Sequence, residues 1–197
     1  IGSEEFQKML ASVSALCYSN GIENPLAHFG PGGLTEKLGI TTPEAILAMP
    51  EEGRGANMMI ADPLRLHDCS LVSDGAAALV LSASDSVSAD AKAVEIAGIG
   101  QAAEYLPLSK REKKWTLEAG KTAVAKSYEE AGVTADDVDF AEVHDCFTIN
   151  QLLTTEALGL SEDGKAGFDY MEGRFSKDDD KVSVNLSGGL KAKGHPV

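Results

Sequence analysis

A run of small apolar residues, A-A-A-L-V-L at positions 76–81, restricts the possible folds more than any other stretch of the sequence. Apolar and polar residues do not alternate in this run, so it predicts a strand that is buried on both of its faces. Strands of that kind belong to parallel sheets with helices on each side. The run therefore favours an α/β protein.

The order of the other predicted elements supports the same fold class. An amphipathic helix is predicted over residues 3–18, and a domain boundary is predicted in the polar stretch at residues 82–91. From residue 94 onward, strands and helices alternate, which is typical of an α/β layered half-domain. These strands and helices are predicted at residues 94–100, 116–131, 138–143, 150–158 and 181–185. The acidic residues 161–180 are predicted to form a loop.

The charge of the chain bears on its partners. The sequence has 17 Lys and Arg against 31 Asp and Glu residues, a formal net charge of −14. Because such a surface repels phosphate groups, we expect neither nucleic acid nor an anionic membrane as the main partner. An acidic surface often serves only to keep chains apart in solution.

We expect a cytoplasmic protein that does not cross a membrane. No apolar run approaches the ~18 residues that a transmembrane helix needs. The N-terminal sequence I-G-S-E-E-F has neither the basic flank nor the apolar stretch of a signal peptide. The three cysteines, Cys17, Cys69 and Cys146, are too few and too scattered for a disulfide framework, which favours a reducing compartment.

Two loops carry the residues that are most suited to catalysis. His144 and Cys146 follow the predicted strand at residues 138–143, and His195 closes a glycine-rich loop. Imidazole titrates near neutral pH, and a thiol can transfer a proton when its pKa is brought into that range. Two imidazoles and a thiol around a carbonyl group could therefore bind its oxyanion and move a proton at the adjacent carbon.

Each of these residues also has a simpler interpretation. A lone cysteine at the start of a helix is more often an inert buried thiol, and a Gly-His-Pro sequence is often only a turn. A zinc site is a weak alternative, because the chain has no further Cys or His at helical or knuckle spacing near His144, Cys146 and His195. We expect no metal. The glycines at 188–189 lack the spacing of a phosphate-binding P-loop.

Three stretches resemble parts of the thiolase family, in the same order along the chain. H-D-C-F at residues 144–147 and N-L-S-G-G-L-K-A-K-G-H-P at residues 185–196 resemble its two C-terminal active-site loops. The likeness is greatest to the sterol-carrier-protein type and to archaeal acetoacetyl-CoA thiolases. D-P-L-R-L-H-D-C-S-L-V-S-D-G-A-A-A-L-V-L at residues 62–81 resembles the stretch that returns from the CoA-binding loop domain. The resemblance implies a thiolase-like layered α-β-α fold.

The resemblance also implies a role for individual residues. His144 would polarise the thioester oxygen in an oxyanion hole, and Cys146 would be the acid/base thiol. His195 would activate a nucleophilic cysteine and stabilise the oxyanion of the acyl-enzyme. Ser70 matches the serine that touches the pantetheine arm of coenzyme A, and Gly189 is a second candidate for binding it. Coenzyme A thioesters would be substrates, and no tightly bound cofactor is expected.

The resemblance covers only a middle-to-late portion of the family. It implies a CoA-covering loop domain at residues 1–62, the end of the N-terminal core at residues 63–90 and a truncated C-terminal core at residues 91–197. Thiolases carry their nucleophilic cysteine earlier in a longer chain, and neither Cys17 nor Cys69 matches that position. The covalent step therefore has no candidate here, and we expect the chain alone to be inactive.

The implied reaction is the Claisen condensation of acetyl-CoA to acetoacetyl-CoA and CoA, or the reverse thiolysis. A catalytically silent thiolase-like subunit that binds a partner or a CoA ester is the alternative. A ketoacyl synthase relative is a third possibility, against which Cys146 argues. Family members imply a homodimer or tetramer, and the archaeal ones a complex with hydroxymethylglutaryl-CoA synthase and a small scaffold protein.

A basic run next to Trp115 could meet the phosphates of coenzyme A. A solvated entrance to a helix is the commoner use of such a run. Its cations are Lys110, Arg111, Lys113 and Lys114.

Overall fold

Helix α1, Ser3–Ile22, is the element against which most other helices pack. The amphipathic pattern predicted this helix, and the structure extends it by one turn. In the computed structural model, residues 2–53 and 55–196 are described. Ile1, Arg54 and Val197, which belong to the predicted loop domain and C-terminal core, lie outside the described residues.

Six further helices follow α1. They are α2 (Leu34–Leu38), α3 (Pro43–Leu47), α4 (Glu118–Ala131), α5 (Thr148–Ala157), α6 (Ala166–Met171) and α7 (Gly189–Lys193) among the described residues. The predicted helices at 116–131 and 150–158 are confirmed as α4 and α5. Gly132 ends α4 in the left-handed conformation, with φ +70°, which a residue with a side chain adopts only at a cost.

Helix α6 corrects the prediction of a loop at residues 161–180. The composition of residues 161–180 is largely polar, but Ala166 and Tyr170 of this helix are buried against α1. A side chain at Gly167 would overlap Met9 of α1, so the small residues bring the two helices into close contact. The glycine content that indicated a loop therefore serves helix packing instead.

The strands are short and form two-stranded sheets. They are β1 (Met59–Ala61), β2 (Leu64–Arg65), β3 (Val72–Ser73), β4 (Phe140–Ala141), β5 (Ser183–Val184) and β6 (His195–Pro196). β1 and β2 form an antiparallel hairpin. β4 pairs with β5 and β3 pairs with β6, both in parallel. The two parallel pairs hold segments that are distant in sequence next to each other, which positions the loops described below.

The largest apolar cluster lies between α1, α5, α6 and β5. Leu10, Val13, Phe175 and Val184 are completely buried in it. A smaller cluster around Tyr18, Ile40 and Ile46 packs α3 against the other side of α1. Within residues 2–53 and 55–196, no helix has both the length and the apolar composition that a bilayer crossing requires.

The prediction of a doubly buried strand at residues 76–81 is wrong for this structure. Leu79, Val80 and Leu81 have no strand assignment and are 78%, 92% and 71% exposed. Among the described residues, no strand pairs with them. Their composition suits burial, and the structure provides no layer to cover them.

The strand predicted at residues 94–100 is also absent from the described structure. The segment instead runs along helix α4, where side chains at Gly98 and Gly100 would overlap backbone carbonyl groups of the helix. The backbone N–H of Ile99 donates to the Glu130 carboxylate at 2.8 Å. The segment therefore contacts α4 through its glycines, while Val94 is 95% exposed.

Candidate active site

The structure brings the two predicted loop histidines together. The imidazole rings of His144 and His195 have their centroids 5.0 Å apart and meet edge to face, at 85°. His144 follows β4 after two further residues, and His195 begins β6. His144 is exposed and His195 is half-buried, so both rings are accessible to a ligand.

The segment at residues 69–73 joins the two histidine loops. At one end, the backbone N–H of Ser70 donates to the carbonyl oxygen of Cys146 at 2.9 Å. At the other end, the N–H of His195 donates to the Leu71 carbonyl at 2.7 Å, and β3 continues the pairing with β6. Ser70 thus lies beside Cys146. Its contact with a pantetheine arm remains a prediction.

Cys146 lies on the same turn as His144 and is half-buried. Burial raises the pKa of its thiol, and the nearby charge of Asp145 adds to this, against a lowering effect of the Phe147 N–H. The thiol is therefore protonated at neutral pH, which suits it to donate a proton. To act as a base it needs alkaline pH or an additional positive charge close to the sulfur.

Gly189 has a definite neighbour inside the protein. The residue is buried with φ +61°, and an added Cβ would lie 2.7 Å from the Asp145 carboxyl carbon. The same Cβ would lie 2.8 Å from Asn185 Nδ2. Glycine is therefore required here for close packing within the chain. Its predicted role in binding coenzyme A is a separate matter that stays a prediction.

A buried polar network behind the two loops was not predicted. Asn185 Oδ1 accepts from the backbone N–H of Val143 at 2.7 Å, and its Nδ2 donates to Gln151 Oε1 at 2.9 Å. Cys17 Sγ also lies 3.3 Å from Gln151 Oε1. Asn185 is one of the few residues other than glycine with positive φ, 53°. An asparagine directly before a glycine-rich turn is the one local signal that could have indicated it.

Lys191 is a second residue that the sequence did not single out. Its side chain is only 2% exposed, and Nζ donates to the Cys69 carbonyl at 2.5 Å. The ammonium group also lies 5.0 Å from the centre of the Tyr18 ring. Burial lowers the pKa of Lys191 to about 8. This lysine holds the start of the 69–73 segment against the glycine-rich stretch at residues 185–196, called the glycine loop below.

The basic run near Trp115 is partly engaged within its own surroundings. Arg111 Nε donates to the Tyr105 carbonyl at 2.7 Å, and Lys113 pairs with Glu118 at 3.4 Å. Both contacts are exposed. Such surface pairs contribute little to stability. Among the described residues, no group of three or more His, Cys, Asp or Glu side chains is arranged to hold a metal ion.

The buried imidazole of His67 predicts that the stability of the folded chain depends on pH. The residue is 7% exposed, and its Nδ1 lies 2.7 Å from the Tyr18 hydroxyl. Burial lowers its pKa from 6.5 to about 4. As the pH falls from 7 to 4, the unfolded chain takes up this proton first, so the folded state loses stability. At ~1.4 kcal/mol per pKa unit, we expect urea unfolding to show a loss of up to about 3 kcal/mol.

The variant His67→Asn isolates this effect, since its amide can still meet Tyr18 but does not titrate in this range. We expect its stability to depend on pH less than that of the unmodified chain, by about the amount given above. His28→Asn is the matched control, because His28 is exposed. Equal pH profiles for His67→Asn and the unmodified chain would exclude the buried histidine as the cause.

Comparison with known proteins places these loops in a family. Residues 100–197 match the family model described as thiolase C-terminal domain-like. An acetyl-CoA acetyltransferase from Methanothermobacter thermautotrophicus is 36% identical over 192 residues, 97% of this chain and 46% of that protein. The chain thus spans about half the length of this relative.

Two solved structures share the fold at low sequence identity. An Ltp2-ChsH2(DUF35) aldolase has a TM-score of 0.73 at 19% identity, covering 96% of this chain and 47% of that one. A monomeric SCP2-thiolase like protein type 1 from Mycobacterium smegmatis has a TM-score of 0.65 at 18% identity, covering 99% and 38%. On these matches, the chain has a thiolase-like α/β fold and belongs to the thiolase family.

Proposed function

We propose that the chain provides the oxyanion-binding and proton-transfer residues of a thiolase-type acyltransferase acting on acetyl-CoA. The observation that carries the proposal is the edge-to-face pair of His144 and His195, with Cys146 two residues after His144. Both imidazoles are accessible, and each can donate an N–H to a carbonyl oxygen. The name of the Methanothermobacter relative supports acetyl-CoA as the substrate.

The chemistry begins at the carbon next to the thioester carbonyl. Cys146, as the thiolate, removes a proton from that carbon and becomes the thiol. The electron pair of the C–H bond moves toward the thioester oxygen, where the N–H of His144 stabilises the negative charge. In condensation, the resulting carbanion attacks the carbonyl carbon of an acyl thioester, forms the new C–C bond and displaces the thiolate that carried the acyl group.

The carbanion step sets the energetic problem. A proton beside a thioester is only weakly acidic, so much of the barrier must be lowered by hydrogen bonds to the developing oxyanion. One positioned donor is typically worth ~3 kcal/mol, or more than a hundredfold in rate. His195 would stabilise the oxyanion of the acyl thioester. No residue of this chain is assigned to the covalent step.

Deuterium exchange tests this proposal without a nucleophilic cysteine. The purified chain is incubated with acetyl-CoA in D₂O at pD 8 to 9, and deuterium uptake into the acetyl group is followed by mass spectrometry. We expect exchange above the buffer rate, lowered about a hundredfold by Cys146→Ser. Cys69→Ser is the matched control, a half-buried thiol on the neighbouring segment, and should leave exchange unchanged. No exchange above buffer would contradict the proposal.

A catalytically silent subunit remains the second candidate. It is favoured by the aldolase neighbour, whose name joins two components. Binding of CoA esters without exchange, and without thiolysis of acetoacetyl-CoA, would support this candidate. Exchange without thiolysis would support the first.

The assembly proposed from the family is a homodimer or tetramer, with a possible complex with hydroxymethylglutaryl-CoA synthase and a small scaffold protein. One structural neighbour is described as monomeric, so a monomer is the competing outcome. Light scattering during size-exclusion chromatography distinguishes the two.

A further inference from the structure

Asp145 lies between the two loop residues His144 and Cys146, but its side chain points away from solvent. It is 1% exposed, and both of its carboxylate oxygens accept hydrogen bonds from the glycine loop. Oδ1 accepts from the backbone N–H of Leu190 at 2.7 Å, and Oδ2 accepts from the N–H of Lys191 at 3.0 Å. The reaction steps described above do not use this carboxylate.

We propose that Asp145 is a positioning residue that fixes the loop carrying His195 relative to His144 and Cys146. Its catalytic consequence rests on the proposed function, whereas its structural consequence does not. Because Asp145 adjoins both residues of its own loop, a fixed carboxylate also fixes their backbone. Residues 190 and 191 are in turn only four or five positions from His195. One side chain thereby sets the distance between the two histidine rings.

Gly189 is the counterpart of this carboxylate. An added Cβ at this position would overlap Oδ2 and lie 2.7 Å from the carboxyl carbon, so any side chain would displace Asp145. The absence of a side chain at 189 therefore allows the carboxylate to reach the two N–H groups. This contact gives the inference an independent test, made from the other side of the interaction.

The hydrogen bonds are strong enough for this role. A carboxylate that accepts from backbone N–H groups makes charge-assisted bonds, which are roughly twice as strong as neutral ones. Removing the carboxylate would leave two N–H groups without this acceptor, one of them in a buried and the other in a part-buried position. Oδ2 also lies 3.7 Å from the Cys17 thiol, which is a weak donor.

Glu142 distinguishes positioning by Asp145 from a general effect of carboxylates on this loop. It also bonds the glycine loop, accepting from the N–H of Ser187 at 2.9 Å and from the Ser187 hydroxyl at 2.5 Å. Unlike Asp145, it is exposed, so water can replace it as the acceptor. Glu142→Gln is therefore the matched control for Asp145→Asn.

The first experiment uses NMR on the isotope-labelled full chain. In the unmodified chain, the amide proton signals of Leu190 and Lys191 should move with the titration of the Asp145 carboxyl carbon. A nuclear Overhauser contact should join the rings of His144 and His195. Amide signals that do not follow Asp145 would overturn the proposal, whether or not any variant folds.

The second experiment compares variants by the same ring contact and by acetyl-CoA exchange. Asp145→Asn and Gly189→Ala should lose the ring contact and lower the maximal exchange rate about tenfold to a hundredfold, with KM changed less than about twofold. Glu142→Gln should keep both. Gly132→Ala controls for positive φ, since φ is +70° there with open space around it. A folded Asp145→Asn that keeps the ring contact and the rate would overturn the proposal.

Failure of the two hypotheses can be told apart. If the unmodified chain shows the amide titration and the ring contact but no exchange, the proposed acyl-CoA chemistry is wrong and the positioning by Asp145 stands. If exchange occurs but the amide signals of Leu190 and Lys191 do not follow the titration of Asp145, the positioning by Asp145 is wrong and the proposed acyl-CoA chemistry stands.

Discussion

Replacing His144 with alanine is expected to slow deuterium exchange into acetyl-CoA by about a hundredfold or more. The change removes an N–H that, in the proposed reaction, stabilises the negative charge on the thioester oxygen. His144 is exposed, so its truncation leaves no cavity in the protein. The measurement is the initial exchange rate at saturating acetyl-CoA.

Two comparisons make this result specific. Circular dichroism and urea unfolding should be unchanged in His144→Ala, because the residue belongs to neither of the two apolar clusters of the described residues. His144→Asn should recover part of the rate, because an amide N–H can also donate to an oxyanion. An unchanged exchange rate in the alanine variant would remove His144 from the mechanism.

Leu10→Ala is expected to lower the free energy of unfolding by about 2–5 kcal/mol. Leu10 is completely buried in helix α1, where it belongs to the cluster shared with α5, α6 and β5. Truncation removes its apolar contacts and leaves a cavity that the surrounding helices fill only in part. Urea unfolding followed by circular dichroism gives the change.

Leu26→Ala is the matched control for this variant, since Leu26 is 90% exposed. Its effect should stay within about 0.5 kcal/mol. Similar losses for the two variants would mean that α1 is not the centre of the folded core.

Helices were predictable where their signals are local. The periodicity of residues 3–18 predicted α1, and the alternation of elements after residue 94 predicted α4 and α5, which the structure confirms. Helix α6 was missed because its burial depends on contact with Met9, far away in sequence. The strand predicted at residues 76–81 is wrong because an apolar composition indicates that a segment suits burial, but it does not show that another layer covers the segment.

The residues of the candidate site were likewise predictable only where their sequence signals are local. His144 and His195 could be paired from the sequence, because both follow strand and glycine signals and resemble two loops of one family. Asp145, Asn185 and Lys191 could not, because each is recognised only by the buried group that it contacts. A polar residue in a loop is ordinarily solvated, and no spacing rule shows that its partner lies 42, 45 or 122 residues away.

The exposed residues 79–81 have a consequence for how separate molecules meet. An exposed apolar segment that pairs with no strand of the described residues is a template on which a second polypeptide can add a strand. The net charge of −14 opposes such encounters by repulsion between molecules. Added salt screens that repulsion but leaves the apolar attraction intact. Higher ionic strength therefore favours association of neighbouring molecules through this segment.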